Sequence, residues 1–315
     1  MKQIQVVAAI IRQNGRVLLA RRAKHKHQGG LWEFPGGKIE AGETPEQALK
    51  RELKEELAIE VTKLNPVFQT SHQYPEYGVH LDIWEVTAFE GEAEGAEGQE
   101  ITWVQPKNLL QYEFPEANKA IITAARLSNR YLITPENLDR AEIIEGIRIA
   151  LDEGIKLICL RAPHFFDPDY RDLAIDAVGV CAGRAELLVK GAFEWLGDFP
   201  SAGWHVTAEQ LRKLADKGRP LPTNRWLAAS CHNEEELALA KQLGVDFVTL
   251  SPVQKTATHP DAEPLGWERA KQLIAGFDRP VYVLGGLTGQ DVPTAQQAGA
   301  QGVAAIRGLW PYELD

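Results

Sequence analysis

The chain has 315 residues, 44% of them hydrophobic and 25% charged, and its 44 acids against 34 bases leave a formal net charge of -10. That length suits two domains, the composition suits an ordinary globular protein, and the acidic balance argues against a duplex nucleic-acid partner, which a basic surface would serve. No apolar run approaches a membrane span, the N-terminus lacks the cleavage site of a signal peptide, and Cys159, Cys181 and Cys231 form no CxxC pattern, so buried free thiols in the cytoplasm are expected.

In chain order, residues 3–11 and 16–20 suit paired strands turned at Asn14-Gly15. A polar loop over 24–30 leads to FPGG. Over 44–57, Ala48, Leu49, Leu53 and Leu57 recur at three- and four-residue spacing, which predicts a helix with Thr44 as its cap and Pro45 in its first turn. Strand signals return at 67–70 and 79–89. The acidic GEAEGAEGQE reads as a loop before Ile101, and a last helix spans about 116–127. Strands in mixed order with few helices predict an α+β sandwich over residues 1–128.

Past Ser128 the rhythm changes to short apolar strands separated by helices. RYLITP, KLICLRA, ELLVKG, GWHVTA, WLAASCH, FVTLSP, PVYVLGG and GVAAIRG are the strand candidates. AEIIEGIRIALDEG, NEEELALAKQLG and GWERAKQLIAGF are helix-like. Continuously apolar strands fit a parallel sheet buried on both faces, and their number predicts a (β/α)8 TIM-like barrel over 129–315, with short helices after its third and fourth strands.

The sharpest local feature is Gly37, five residues, Glu43, seven residues, then Arg51-Glu52-Leu53-Lys54-Glu55-Glu56. At about 100° per residue, Glu52, Glu55 and Glu56 fall on one side of the helix. Three neighbouring carboxylates repel one another, and a divalent cation relieves that conflict by accepting oxygen ligands; magnesium suits phosphate chemistry. Without the preceding loop, the same charges would read as a solvated face beside Lys50, Arg51 and Lys54. Gly36 and Gly37 permit a tight turn in which the Gly36 carbonyl adds a ligand, Pro35 restrains it, and Arg51 can pair with Glu43 to hold helix against loop.

The stretch GKIEAGETPEQALKRELKEELAI resembles the signature of Nudix hydrolases, departing from it at Ala58, where that family usually has glycine. The resemblance covers about residues 1–128 and implies cleavage of a diphosphate linkage with magnesium, or manganese, as cofactor. Within the family, GGKIEAGETPEQA, Arg21-Arg22 and FPEAN are most similar to MutT-type 8-oxo-dGTP diphosphatases. That likeness implies Glu52 as catalytic acid and metal ligand, Glu55 and Glu56 as ligands, and Glu97 as a further carboxylate near the metal. It implies Asn118 as reader of the oxidised purine, Phe34 beside the base, Arg22 near the nucleotide, and Glu76 in place of a base-pocket aspartate. The reaction implied is attack of metal-activated water on the β-phosphorus of an 8-oxo-dGTP-like nucleotide, with Glu52 or Glu97 taking the proton. Each pocket residue also has an ordinary alternative: Phe34 filling the core, Arg22 solvated, Asn118 capping the terminal helix, Glu97 facing solvent.

From about residue 130 the chain resembles the thiamine phosphate synthase and TenI superfamily, most specifically in LAASCHNEEELALAKQLGVDFVTLSPVQKTATHPDAEPLGW and VYVLGGLTGQDVPTAQQAGAQGVAAIRG. Gly285, Gly286, Ile306 and Arg307 follow late strands, where backbone amides can receive a phosphate. Arg161 and Ser251 lie at the second and sixth strand ends. His232, at the fifth, resembles the TenI tautomerase histidine, with a helix-start histidine as the alternative. LLVK stands where an asparagine-aspartate pair is expected, and GWHVTAEQL lacks the usual magnesium-binding aspartate. Both departures argue against full synthase chemistry and leave a thiazole phosphate as the implied barrel ligand. Two competing readings stand beside this one: hydrolysis of a thiamine-related diphosphate, and a non-enzymatic metabolite-binding scaffold. The sequence does not fix the oligomeric state.

Overall fold

The computed structural model describes residues 2–23, 28–256 and 263–314. The chain divides into two compact units, Met1–Leu127 with Ala275–Pro280, and Ser128–Ile274 with Val281–Asp315.

In the first unit, β1 (Lys2–Gln13) and β2 (Arg16–Arg21) form an antiparallel hairpin whose turn residues Asn14 and Gly15 both have positive φ. Next come the short strands β3 (Trp32–Glu33) and β4 (Gly36–Lys38), helix α1 (Pro45–Leu57), and the long strands β5 (Glu60–Gln73) and β6 (Tyr77–Glu90). Strand β7 (Ile101–Val104) and helix α2 (Lys119–Arg126) complete the unit. The sheet runs β3-β2-β1-β6-β5, with β4 on β1 and β7 on β2; the β1–β6 pairing is parallel.

The two-residue side-chain period of β1 separates two cores. Val7, Ala9 and Ile11 pack with Ala48, Leu49, Leu53 and Leu57 of α1. Ala8 and Ile10 pack with Phe34 and with Ile121, Ile122, Ala124 and Ala125 of α2. The sheet is thus covered on both faces, and α1 is fixed by its fully buried apolar side. Truncating a residue such as Leu53 would cost about 2–5 kcal/mol. The helix expected over 116–127 begins as a 3-10 turn, Glu116–Asn118, before α2 proper.

The second unit is a closed barrel of eight parallel strands in the order β10-β11-β12-β13-β14-β15-β8-β9. They are β8 (Arg130–Ile133), β9 (Leu157–Leu160), β10 (Glu186–Val189), β11 (Gly203–Val206), β12 (Leu227–Cys231), β13 (Phe247–Leu250), β14 (Val281–Leu284) and β15 (Gly302–Ala305), each overlapping one of the eight sequence candidates. Helices α3 (Arg140–Asp152), α4 (Asp169–Cys181), α5 (Ala208–Leu214), α6 (Glu234–Leu243), α7 (Gly266–Ala275) and α8 (Val292–Gln297) cover it. A 3-10 turn, Phe193–Gly197, replaces the helix after β10, and α5 after β11 has only seven residues. Tyr131, Phe247 and Tyr282 meet inside with ring centroids 5.4–5.5 Å apart, so the interior is packed and not a pore. All three cysteines are free and buried. No described helix is long and apolar enough to cross a membrane.

Candidate functional site

The junction between β4 and α1 is fixed by short-range chemistry. Thr44 and Gln47 form a reciprocal capping box, at 3.3 and 2.9 Å, with Pro45 in the first turn. Arg51 donates to both oxygens of Glu43, at 2.8 and 2.9 Å, and to the Lys38 carbonyl at 3.1 Å, clamping the loop to the helix. The Arg51 hydrogen bonds, with help from the Glu40 amide, hold the Glu43 carboxyl down at about 2, and the same contacts raise Arg51.

The three helix carboxylates lie beside this clamp. Arg51 Nη1 donates to Glu52 at 2.9 Å and to Glu55 at 3.3 Å, while the Gly36 amide donates to Glu56 at 3.2 Å. Among the described residues no three His, Cys, Asp or Glu side chains converge as a ready metal cage. The guanidinium and a backbone N–H offset the mutual repulsion instead. Gly36 meets Glu56 through its amide.

The glycines are nevertheless shaped around these acids. A Cβ on Gly37 would lie 2.2 Å from the Glu52 carboxyl carbon, so only bare backbone lets that carboxylate rest against β4. A Cβ on Gly36, whose φ is +149°, would lie 2.1 Å from the Val7 carbonyl. Hard oxygen donors gathered beside an uncovered strand fit magnesium or manganese chemically.

Glu97 is exposed in the acidic loop. The loop is nonetheless anchored at the end of α1: the Ala96 amide and the Gln99 side chain both donate to the Glu56 carbonyl, at 2.9 and 2.7 Å. Ala58 closes α1 in a left-handed conformation, φ 57°, with its amide on the Lys54 carbonyl. A Cβ is disfavoured there by about 1 kcal/mol or more relative to glycine.

On the opposite face, Phe34 (3% exposed) stacks on Phe114 at 5.7 Å, and its amide faces Asn118 Oδ1 at 3.4 Å. Asn118 stands at the N-cap position of α2, yet its side chain makes no capping bond. Its Oδ1 accepts from the Phe34 amide in place of an amide of its own helix. Tyr74, raised by burial and bonded to the Ala117 backbone, adds an aromatic wall, with His72 edge-on at 4.5 Å. The sequence pattern had marked neither Tyr74 nor Phe114, although aromatic residues beside the turns QYPEY and EFPEAN were a signal. Arg22 pairs with Glu33, and its backbone bonds to Gly30 and Leu31. Glu76 is exposed in the β5–β6 turn, outside the buried pair of Phe34 and Asn118.

In the barrel, Arg161, His232, Ser251, Gly285, Ile306 and Arg307 all follow the carboxyl ends of strands and therefore share one rim. Glu236, nearly fully buried, accepts from both the backbone amide and Nδ1 of His232 at 2.7 Å, and also pairs with Arg212. Asn233, not His232, caps α6. The Glu236 contact at Nδ1 fixes the His232 ring and leaves Nε2 as its other polar atom. Arg161 pairs with Glu136. Gly285 and Gly286 have positive φ, and a Cβ on either would strike Pro252 or Lys255, so close packing of the next loop already requires both. Lys190, His205, Ser230 and Tyr131, which no motif marked as ligands, form a hydrogen-bonded series inside the barrel.

Comparison with known proteins follows the same division. Residues 6–124 match the NUDIX domain family and residues 130–309 the thiamine monophosphate synthase family. The CTP pyrophosphohydrolase of Escherichia coli (strain K12) is 45% identical over 126 residues, covering 39% of this chain and 92% of that protein. The 8-oxo-dGTP diphosphatase of the same organism is 41% identical over 123 residues, 39% of this chain and 95% of that protein. The thiamine-phosphate synthase of Methanosarcina barkeri (strain Fusaro / DSM 804) is 27% identical over 182 residues, 56% of this chain and 80% of that protein.

Proposed function

The chain belongs to the Nudix family through its first unit and to the thiamine monophosphate synthase family through its second, and we propose that the first unit hydrolyses 8-oxo-dGTP to 8-oxo-dGMP and pyrophosphate. Both bacterial Nudix relatives are named for nucleotide hydrolysis. The finer choice of an oxidised purine rests on Asn118, a buried amide beside the Phe34–Phe114 stack that does not serve its own helix.

An 8-oxo-purine differs from guanine by a carbonyl at C8 and a hydrogen on N7. Asparagine carries both a donor and an acceptor, and so can match both changes. Each buried polar group left unmatched costs about 1–3 kcal/mol, or roughly 5- to 150-fold in selectivity. Glu52, Glu55 and Glu56, with Glu97 and the Gly36 carbonyl, would hold magnesium or manganese, which supplies phosphate neutralisation and a more acidic water. Glu52 or Glu97 would orient a water for attack on the β-phosphorus and accept its proton. The bond from the β-phosphorus to the bridging oxygen breaks, leaving that oxygen on the monophosphate. Arg51 and Gly37 keep the Glu52 carboxylate against the strand.

The 45% identity to a CTP pyrophosphohydrolase favours a second reading, in which a cytidine nucleotide is preferred. Side-by-side assays of pyrophosphate release from 8-oxo-dGTP and CTP in magnesium decide between them. Faster release from 8-oxo-dGTP, lost in Glu56→Gln, is expected; faster release from CTP would replace the first reading with the second.

For the barrel we propose thiazole phosphate binding, with His232 as the proton-transfer group, because Glu236 orients its ring with Nε2 outward. His232→Asn should abolish isomerisation of an aminothiazole-carboxylate phosphate while sparing binding; equal isomerisation rates would leave only a binding role. Three buried thiols suit a reducing, cytoplasmic setting.

A further inference from the structure

The barrel contains an amine that the proposed function does not use. Lys190 directly follows β10, at the same rim as His232, and keeps partial exposure. Its Nζ donates to Ser230 Oγ at 2.8 Å; Ser230 Oγ lies 3.0 Å from His205 Nε2, and His205 Nδ1 lies 2.8 Å from the Tyr131 hydroxyl. Four strands, β8, β10, β11 and β12, thus contribute one continuous hydrogen-bonded series ending in a lysine.

Among the described residues no carboxylate pairs with Lys190. Glu136 is engaged by Arg161, and Glu236 by His232 and Arg212. The groups around Nζ are Ser230, His205, Cys159 and Arg161, with the Tyr170 hydroxyl on the Lys190 backbone amide. Burial pushes Lys190 down; Cys159 opposes the shift and Arg161 adds to it. Burial, with the nearby lysine, pushes His205 well below its ordinary value, so the imidazole is neutral. A receptor for anions needs its ammonium charged before the ligand arrives. Here the surroundings act against that charge, and among the described residues the side-chain partner of Nζ is a neutral hydroxyl, which offers it no counter-charge.

We propose that Lys190 is a carbonyl-directed nucleophile, condensing with a small aldehyde or ketone admitted at the strand-end rim to form a reversible imine. The amine lone pair adds to the carbonyl carbon, forming the C–N bond. The carbonyl oxygen departs as water, taking the two hydrogens that the nitrogen loses; no oxidation or reduction occurs. Ser230 and neutral His205 provide an adjacent route for those protons, since His205 can accept at one nitrogen while donating at the other. Lys190 is then the group that bonds the carbonyl carbon, and Ser230 and His205 are positioning residues. The inference concerns the barrel alone and stands apart from both nucleotide hydrolysis and the role of His232.

The test uses the full chain with glycolaldehyde phosphate and, in a second arm, glycolaldehyde, each trapped with cyanoborohydride at pH 7 and mapped by peptide mass spectrometry. Lys190 should be labelled faster than the exposed Lys119 and Lys213, and its labelling should level off at lower pH than theirs. Faster labelling by the phosphorylated probe would assign a phosphate to the ligand; equal labelling would make the carbonyl sufficient. Lys190 labelled no faster than the two exposed lysines, in both arms, would overturn the proposal. The comparison is internal to one unmodified protein and requires no variant to fold.

Discussion

Adjacent glycines at the β4–α1 junction should respond oppositely to the same substitution. In Gly36→Ala the new Cβ meets backbone, 2.1 Å from the Val7 carbonyl oxygen and 2.9 Å from Ala8 Cα, at a φ of +149°. Ordinary contact begins near 3.4 Å, so β1 and β4 must part by about 1.3 Å or the backbone must rotate. Strained φ and overpacking each cost about 1–3 kcal/mol, together about 2–6 kcal/mol against a total stability of roughly 5–15 kcal/mol. Gly37→Ala instead meets first the Glu52 carboxylate, 2.2–2.3 Å away, which can swing aside. That relief breaks the 2.9 Å bond to Arg51 and moves the carboxylate by about an ångström. Misplacement on that scale costs about 100-fold in rate. Thermal melts and steady-state pyrophosphate release on both variants check this. Expected are a melting temperature lowered by about 10 °C or more in Gly36→Ala, and a near-native melt with kcat down about 100-fold in Gly37→Ala. Full activity in Gly37→Ala would refute Glu52 as the group that the bare strand accommodates.

Ala58→Gly removes a Cβ from a left-handed helix terminus and should stabilise the first unit by about 0.5–1 kcal/mol, read as a raised denaturant midpoint; an unchanged or lowered midpoint would count against strain at that residue. Because Arg51 holds Glu43 at about 2, below the ordinary carboxylate value of 4.5, this pair's stabilisation is complete above pH 4.5 and is lost as pH falls toward 2. Glu43→Gln should therefore be less stable than the parent at pH 6 and converge with it near pH 2; a constant difference across that range would contradict the linkage. Limited proteolysis should cut near Ser128, and a fragment of residues 1–127 should melt cooperatively; an unfolded fragment would show that the first unit needs the second.

The first unit's helix was legible because Ala48, Leu49, Leu53 and Leu57 put all the apolar area on one side, and the Arg51–Glu43 clamp because opposite charges lay across a short loop. Barrel strands were legible for the converse reason: burial on both faces makes each a short apolar run. Strand β5 was not. The sequence marks only 67–70, while the strand spans Glu60–Gln73, since Pro66, a bulged register and the lack of any buried residue before Val67 disguise its first half. Its edge position tolerates the missing proline N–H. Nor could the series from Tyr131 to Lys190 be read from local pattern, because its four members come from separate strands and meet only when the barrel closes. The three-carboxylate face was visible as a helix angle, but the competition of Arg51 and the Gly36 amide for those oxygens was not.

The most direct measurement of base selectivity is the ratio of kcat/KM for 8-oxo-dGTP over dGTP in the parent protein and in Asn118→Ala. Asn118 faces the Phe34 amide and lies on the side of the sheet away from α1, whereas Glu52, Glu55 and Glu56 lie on α1 itself. Selectivity and phosphate chemistry should therefore separate. The expected result is a high ratio in the parent that collapses by about 10- to 100-fold in Asn118→Ala, with dGTP turnover nearly unchanged. A ratio near one in the parent, or a variant that loses both substrates equally, would contradict an oxidised purine read by Asn118.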